Sequence, residues 1–266
     1  MKKIDLATVA GLLCAFGLIL LGNHLEGGHL GAIIQPTAGL IVFGGTLGAT
    51  MVGFPLEAFV RAVKALGQFF GDKGIDSRAV LDEIVRYAQI ARREGIIALE
   101  EHVQKATDPF FKKAFLMVVD GIDSKSIAET LELELHELDE KGEVPAKVFE
   151  AAGGYAPTIG ILGAVLGLIH VMQNLSDINK VGSGIAVAFV ATIYGVGSAN
   201  IVLLPAANKL KMKHRAEMVQ REMIMHGAIA IQQGENPKLI EGKLSVFVHG
   251  HGKKHGAEPA KAKAAA

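Results

Sequence analysis

Four long blocks of the sequence contain no Asp, Glu, Lys or Arg, and they constrain the fold more than any other feature. They are residues 6–25, 32–54, 151–176 and 181–208. A bilayer with a hydrocarbon core of about 30 Å is crossed by about 20 residues of α-helix, and each block reaches that length. A surface helix of a water-soluble protein would carry a charged face. The pattern predicts an all-α integral membrane protein with four transmembrane helices.

The charged residues are divided unevenly along the chain. Residues 55–150 carry 13 Lys and Arg against 19 Asp and Glu, whereas residues 209–266 carry 11 against 5. An acidic segment and a basic tail next to membrane spans do not form the basic, aromatic-bearing surface of nucleic-acid-binding proteins, so we expect no nucleic acid partner. The single cysteine, Cys14, excludes an intrachain disulfide.

The positions of Lys and Arg predict the orientation in the membrane. Lys2 and Lys3 precede the first block, the loop 23–31 has no Lys or Arg, and residues 209–215 contain four. Positive residues favour the cytoplasmic side. We therefore expect both termini and residues 55–150 in the cytoplasm, and the protein in the bacterial inner (plasma) membrane.

Together these patterns divide the chain into four predicted parts. They are transmembrane helices 1 and 2 with a short periplasmic loop (1–54, loop 23–31), a helical cytoplasmic domain (55–150), transmembrane helices 3 and 4 (151–208), and a basic cytoplasmic tail (209–266). The Gly-, Lys- and Ala-rich end of the tail is expected to be disordered.

A cleaved signal peptide is an alternative interpretation of residues 1–22. The apolar run is long for such a segment, and Leu21–His24 offers no small-x-small cleavage site. Cleavage would leave three spans with the termini on opposite sides, so we favour a retained first helix.

Helix signals follow one another in the middle segment. Asp76 or Ser77 can cap a helix that stops at Gly95, and Asp108 followed by Pro109 is a typical helix start. The predicted helices are Leu56–Phe70, 77–93, Phe110–Val119 and Lys125–Lys141. No strand pattern competes with them.

Small residues mark one side of the third span. Gly160, Gly163 and Gly167 recur at helical spacing, which allows another helix to approach closely. Such spacing is common wherever membrane helices pack, so on its own it predicts a packing surface.

Polar and helix-breaking residues accumulate in the third and fourth spans. Pro157 and Pro205 each remove a backbone donor and free a carbonyl at membrane depth. Thr192 and Tyr194 add hydroxyls, although a Thr in a span often bonds its own backbone. The combination in adjacent spans predicts a polar path.

The spans carry no acid or base of their own in their interior. A chain that moved protons alone would be expected to contain an ionisable relay. If this protein conducts ions, a partner must supply the titrating group. We also find no nucleophile–base set and no convergent metal ligands, so no enzyme, metal or cofactor is expected.

Three segments together resemble a known family. Residues 155–168 (Tyr-Ala-Pro-Thr-Ile-Gly-Ile-Leu-Gly-Ala-Val-Leu-Gly-Leu), residues 188–210 and residues 91–100 (Ala-Arg-Arg-Glu-Gly-Ile-Ile-Ala-Leu-Glu) are similar to the MotA type of flagellar motor stator subunit, within the MotA/TolQ/ExbB proton channel family. The resemblance covers nearly the whole chain and fades after about His249. It implies a torque-generating subunit of the bacterial flagellum.

The resemblance implies a specific assembly. In that family, five A subunits surround two helices of MotB-like single-span B subunits, whose Asp binds the ion, and the spans contact membrane lipid. Ion flow would turn the A pentamer, and its loops would push the flagellar rotor switch protein. Arg92 and Glu100 match the family's rotor-facing charges, although ordinary exposed charge is the alternative explanation.

The resemblance also assigns the ion pathway. Pro157 and Pro205 match the family's two functional prolines, Thr192 matches the hydroxyl that faces the B-subunit Asp, and Tyr194 lies in the same segment. Sodium-driven relatives carry Thr seven residues after the first proline, where this chain has Ala164. We therefore predict H⁺ as the coupling ion, with Na⁺ less favoured.

Two other classes of membrane protein are alternatives. An ExbB/TolQ-type energiser of outer-membrane processes belongs to the same superfamily, but those proteins usually have three spans. A solute transporter would normally show an inverted repeat and a substrate site of its own, and the sequence shows neither. The stator subunit remains the predicted function.

Overall fold

The computed structural model describes residues 3–72 and 76–249. The chain divides into two compact units. The membrane unit comprises Met1–Gly74 and Glu140–His214, and the helical unit comprises Ile75–Asp139 and Arg215–Ala266. The segment 55–150 contributes to both units. The end of the tail, residues 250–266, lies outside the described residues.

Helices account for nearly all of the described chain. In chain order they are α1 (Leu6–Leu25), α2 (Leu30–Ile33), α3 (Pro36–Gly39), a π-helical segment (Leu40–Gly44), α4 (Gly45–Gly53), α5 (Leu56–Phe70), α6 (Ser77–Glu94), a 3₁₀ turn (Ile96–Leu99), α7 (Glu100–Gln104), α8 (Pro109–Val119), α9 (Ser124–Gln173), α10 (Ile178–Gly197), a second π-helical segment (Ser198–Leu203), α11 (Leu204–Gln232) and α12 (Pro237–His249). Lys3–Ile4 and Gly71–Asp72 form a two-residue antiparallel ladder.

The predicted fold class is confirmed. Within the described residues, four helical stretches are long and apolar enough to cross a membrane: Leu6–Leu25, Pro36–Gly53, and parts of Ser124–Gln173 and Ile178–Gln232. Helix α1 exposes nearly its whole length, with Thr8 as its one buried residue. Such a surface suits contact with lipid.

The predicted caps of the middle segment are present. Asp76 accepts a hydrogen bond from the Ala79 amide at 3.0 Å, and Asp108 accepts one from the Phe111 amide at 2.8 Å. These side chains satisfy amide groups that have no partner within the first helical turn. Gly95 ends α6 with φ +92°, a conformation that other residues rarely adopt.

The predicted end of the acidic helix at Lys141 is wrong. Helix α9 begins at Ser124 and continues for 50 residues to Gln173, with Pro145 and Pro157 inside it. A proline inside a helix removes one backbone hydrogen bond and produces a kink, but flanking turns can keep the helix continuous. The acidic segment and the third span are therefore one helix.

The helical unit is organised around one aromatic and aliphatic core. Tyr87 of α6 packs edge-on against Phe111 and Phe115 of α8, with ring centroids 5.4 and 5.2 Å apart. Met223 of α11 and Ile240 of α12 are fully buried in the same cluster. Burial raises the pKa of the Tyr87 phenol to about 12. This core holds the loops of the unit in place.

A cluster of charges joins three segments of the membrane unit. Asp5 caps α1 and forms an ion pair with Lys209 of α11. Lys213, 3.9 Å from Asp5, also donates to the Gln68 and Gly71 carbonyls at 2.8 and 2.6 Å. The start of α1, the end of α5 and the first turns of α11 therefore meet at one carboxylate. We call Asp5, Lys209 and Lys213 the charge clasp.

We expect Asp5→Asn to lower the thermal unfolding midpoint of the detergent-purified protein. The Asp5 side chain is only 14% exposed, so loss of its charge leaves two cations poorly compensated, at a cost of about 1–3 kcal/mol. The hydrogen bond from Lys209 holds the pKa of Asp5 below its ordinary value of 3.8. The clasp therefore stabilises the fold at neutral pH, and its contribution is lost as the pH falls through that lowered pKa.

Glu57→Gln is the matched control, because Glu57 pairs with Arg61 at 3.5 Å on an exposed surface. Exposed pairs contribute about 0–1 kcal/mol. Equal midpoints for the two variants would contradict a stabilising clasp.

Candidate functional site

Helices α9 and α10 contact each other along their backbones. A Cβ atom built on Gly160 would lie 2.9 Å from the Ala191 carbonyl oxygen and 3.1 Å from the Gly195 Cα. About two turns away, a Cβ on Gly167 would lie 2.8 Å from the Gly184 carbonyl oxygen. These distances leave no room for a side chain, so the two helices approach as closely as the peptide groups allow.

Gly163 and Ala164 occupy neighbouring positions on α9. A Cβ on Gly163 would lie 2.8 Å from the Ala191 Cβ and 3.3 Å from Ile41 Cγ2, so Gly163 faces both α10 and the second span. Ala164 is half-buried. Seven residues separate Ala164 from Pro157, which puts them within about 20° of each other around the helix.

The two prolines lie in different surroundings. Pro157 is half-buried inside α9, and one residue later the Thr158 hydroxyl donates to the Tyr155 carbonyl at 2.8 Å. Pro205 is exposed in the first turn of α11, directly after the π-helical segment Ser198–Leu203. Each proline leaves the carbonyl four residues earlier without its usual amide donor. Their part in an ion pathway stays a prediction.

The hydroxyls of Thr192 and Tyr194 point to different parts of the protein. Thr192 donates to the Ala188 carbonyl in its own helix at 3.2 Å. The Tyr194 hydroxyl donates to the Ile33 carbonyl at 2.7 Å and accepts from the Gln35 amide at 3.2 Å. Two residues on a helix are about 200° apart. The two side chains therefore lie on opposite sides of α10, and the contacts of Tyr194 hold the bend before α3. The part of Thr192 and Tyr194 in an ion pathway stays a prediction.

Sequence reasoning missed the two π-helical segments, Leu40–Gly44 in the second span and Ser198–Leu203 in the fourth. The ring of Phe43 in the first segment stacks on Tyr194, with centroids 5.5 Å apart. Wide turns of this kind often occur at functional sites. Pro205 was an available signal for the second segment, because a proline disturbs the hydrogen bonding of the preceding turn.

Arg92 and Glu100 flank one turn of the helical unit. Arg92 lies in the last turn of α6 and Glu100 begins α7, with Gly95 and the buried Leu99 fixing the 3₁₀ turn between them. Both charged side chains are exposed. In the described part of the chain neither forms an ion pair, whereas the neighbouring Glu101 pairs with Lys105 at 2.7 Å. Two unpaired opposite charges on a fixed turn suit contact with a partner.

The hydrogen bond from Lys105 lowers the pKa of Glu101 below its ordinary value. Among the residues that the structure describes, no cluster of three or more His, Cys, Asp or Glu could hold a metal ion.

Residues 9–95 match the motility protein A N-terminal family, and residues 102–223 match the MotA/TolQ/ExbB proton channel family. Motility protein A of Aquifex aeolicus is 36% identical over 247 residues, which is 92% of this chain and 97% of that protein. The chain belongs to the MotA/TolQ/ExbB proton channel family. These matches confirm the resemblance found in the sequence. The family is a family of proton channels.

Solved structures of the MotA/TolQ/ExbB family share the fold. A C. jejuni MotAB structure has a TM-score of 0.88 at 29% identity, over 98% of this chain and 100% of that chain. The flagellar MotAB stator complex from Bacillus subtilis has a TM-score of 0.85 at 33% identity, over 92% and 96%. The protein is a multi-pass membrane protein of this family.

We expect Gly195→Ala to lower the thermal unfolding midpoint of the purified protein. A Cβ at this position would lie 2.6 Å from the Ala156 carbonyl oxygen and 2.9 Å from the Gly160 Cα. The helices must separate to accept it, at a cost of about 1–3 kcal/mol.

Gly182→Ala is the matched control in the same helix, since nothing lies within 4 Å of a Cβ there. Alanine favours a helix over glycine by about 1 kcal/mol, so this variant should be neutral or more stable. A higher thermal unfolding midpoint in both variants would show that the packing of α9 against α10 does not require direct backbone contact.

Proposed function

We propose that this chain is the A-type stator subunit of the bacterial flagellar motor and that, with a B-type partner, it forms a proton channel whose flux drives rotation. The match to motility protein A over 92% of the chain carries this proposal. The Bacillus subtilis neighbour is a flagellar MotAB stator complex. The similarity to this MotAB complex supports a MotB-like single-span partner here. No comparable observation favours an ExbB/TolQ-type energiser.

In this proposal, the partner supplies the ionisable group that the membrane spans lack. The four apolar blocks contain no Asp, Glu, Lys or Arg, and a proton path needs a group that titrates. In our proposal five copies of this chain surround two B helices, and the B-subunit Asp carries the proton past Pro157, Ala164 and Thr192. One charge crossing 100 mV releases about 2.3 kcal/mol. This energy is several times thermal energy and can drive a conformational step.

The proposed complex has one orientation in the membrane. The inner membrane holds the protein with both termini in the cytoplasm, as the positions of Lys and Arg favour. The helical unit then faces the rotor. Arg92 and Glu100 are the charges that we assign to the rotor switch protein, because both are exposed on a fixed turn and lack an ion-pair partner within the described ranges.

Reconstitution into liposomes tests the channel. We expect proton flux, measured with a pH-sensitive dye, only when this chain and its B partner are both present. Replacing the membrane-embedded Asp of the partner with Asn should abolish the flux, and exchanging Na⁺ for K⁺ should leave it unchanged. Subunit counting on the purified complex should give five copies of this chain to two of the partner.

Proton conduction by this chain alone would remove the need for a partner and overturn the proposal. Flux that follows Na⁺ instead of H⁺ would leave the stator assignment intact but reverse the predicted ion.

Charge reversal tests the rotor contact. We expect Arg92→Glu or Glu100→Lys to weaken it roughly tenfold, because like charges then face each other. Swimming speed and tethered-cell torque should fall, while co-purification with the B partner stays unchanged. Arg78→Glu is the control, since Arg78 is also exposed, lies near the other end of α6 and pairs with Asp82 at 3.2 Å. Equal torque loss in the control would refute a specific contact at the Gly95 turn.

A further inference from the structure

One carboxylate directly borders the pair of spans that we assign to the ion path. The third and fourth apolar blocks, residues 151–176 and 181–208, contain no Asp, Glu, Lys or Arg. Glu150 directly precedes the third block, whereas the first charged residue after the fourth is Lys209. Both residues lie on the side from which α9 and α11 continue into the helical unit. A proton that leaves the spans on this side therefore has Glu150 as the acid next to them in the chain.

The structure puts Glu150 on the same helix as Pro157 and Ala164. Helix α9 is α-helical from Ser124 to Gln173, through both of its prolines. Seven residues separate Glu150 from Pro157, and seven more separate Pro157 from Ala164, so the three residues lie within about 40° of one another around the helix. The sequence alone did not reveal this face, because it predicted a helix end at Lys141. The continuous helix thus adds a carboxylate to the face that carries Pro157 and Ala164.

This face of α9 points away from the contact with α10. The contact is made by Gly160 and Gly167, which lie about 60–80° from Pro157 around the helix. Pro157 and Ala164 are half-buried, and Glu150 is exposed. The face is therefore available to the helix of a partner, and its last residue before the helical unit is open to water.

The Glu150 side chain is available as a proton acceptor. Two turns earlier on α9, Glu143 pairs with Lys147 at 2.8 Å. In the part of the chain that the structure describes, Glu150 itself forms no ion pair. Both of its carboxylate oxygens can therefore accept a hydrogen bond or a proton. Glu150 lies about 10 Å along the helix from Pro157, a distance that its side chain and a few water molecules can bridge.

We propose that Glu150 accepts the proton that the B-subunit acid releases at the cytoplasmic end of the ion path. The inference rests on the proposed function, because the partner supplies the proton donor. The proton leaves the partner's carboxylic acid, which becomes a carboxylate, and binds the Glu150 carboxylate. Glu150 then gives the proton to water in the cytoplasm and regains its charge. An acceptor that is held in place speeds proton release, because it need not be found by diffusion.

Proton release is measured in liposomes that contain this chain with its B partner, with the cytoplasmic face outward and a pH-sensitive dye inside. An imposed voltage drives protons outward. We expect Glu150→Gln to lower the flux about tenfold, because an amide does not take up the proton, and Glu150→Asp to retain most of it. Glu57→Gln is the matched control, since Glu57 is also an exposed carboxylate close to the end of a span but pairs with Arg61 at 3.5 Å.

Added buffer separates proton acceptance from a structural role. Raising the concentration of MES outside the liposomes supplies a mobile proton acceptor on the cytoplasmic face. This should restore the flux of Glu150→Gln and leave the flux of the unsubstituted complex unchanged. Co-purification with the B partner checks that each variant is folded and assembled.

An undiminished flux through folded Glu150→Gln would overturn the inference, because the proton would then leave without this carboxylate. A flux that falls but does not respond to MES would also overturn it, since the substitution would then act on the structure. Absence of flux through the unsubstituted complex would instead refute the proposed function, so the two failures are distinguishable.

Discussion

Direct backbone contact between α9 and α10 is the interaction on which the membrane unit depends. Lipid chains are as apolar as the side chains of the spans, so hydrophobic burial does not hold membrane helices together. Close van der Waals contact does, and it requires that Gly160 and Gly195 have no side chains where they meet. The contact also fixes the rotation of both helices. Pro157 and Ala164 share one face of α9 because they are seven residues apart, and the contact sets the direction in which that face points.

The irregular turns of the second and fourth spans are linked to each other. Phe43 lies in one π-helical segment and stacks on Tyr194, which precedes the other. Tyr194 also bonds the backbone at Ile33 and Gln35, where the second span begins. A wide turn and a proline weaken the hydrogen-bond ladder locally, so bending costs least there. One tyrosine therefore ties together the two places where these spans are most easily deformed.

Local signals made much of this structure predictable. Apolar blocks located the spans, and Asp76 and Asp108 located helix starts, because a cap depends on a residue three positions away. The sequence did not reveal the continuity of α9 through Pro145, since a proline signals a kink as readily as an end. The sequence also did not reveal the contacts between residues that lie far apart along the chain. The clasp between Asp5 and Lys209, and the bonds of Tyr194 across 159 and 161 residues, join segments that no local pattern connects.

The hydrogen bond of Thr192 determines which groups its side chain could offer to the acid of the proposed B partner. Its hydroxyl proton is donated to the Ala188 carbonyl, which leaves only oxygen lone pairs for another group. Such an oxygen can accept a hydrogen bond from a protonated carboxyl, but it offers no donor to a carboxylate. In the proposed complex, Thr192 would therefore favour the neutral form of the partner's acid. Release of the proton then requires that the acid leave Thr192 or that the hydroxyl turn away from its own helix. In the proposed complex, either movement would couple the protonation state of the partner's acid to its position against α10.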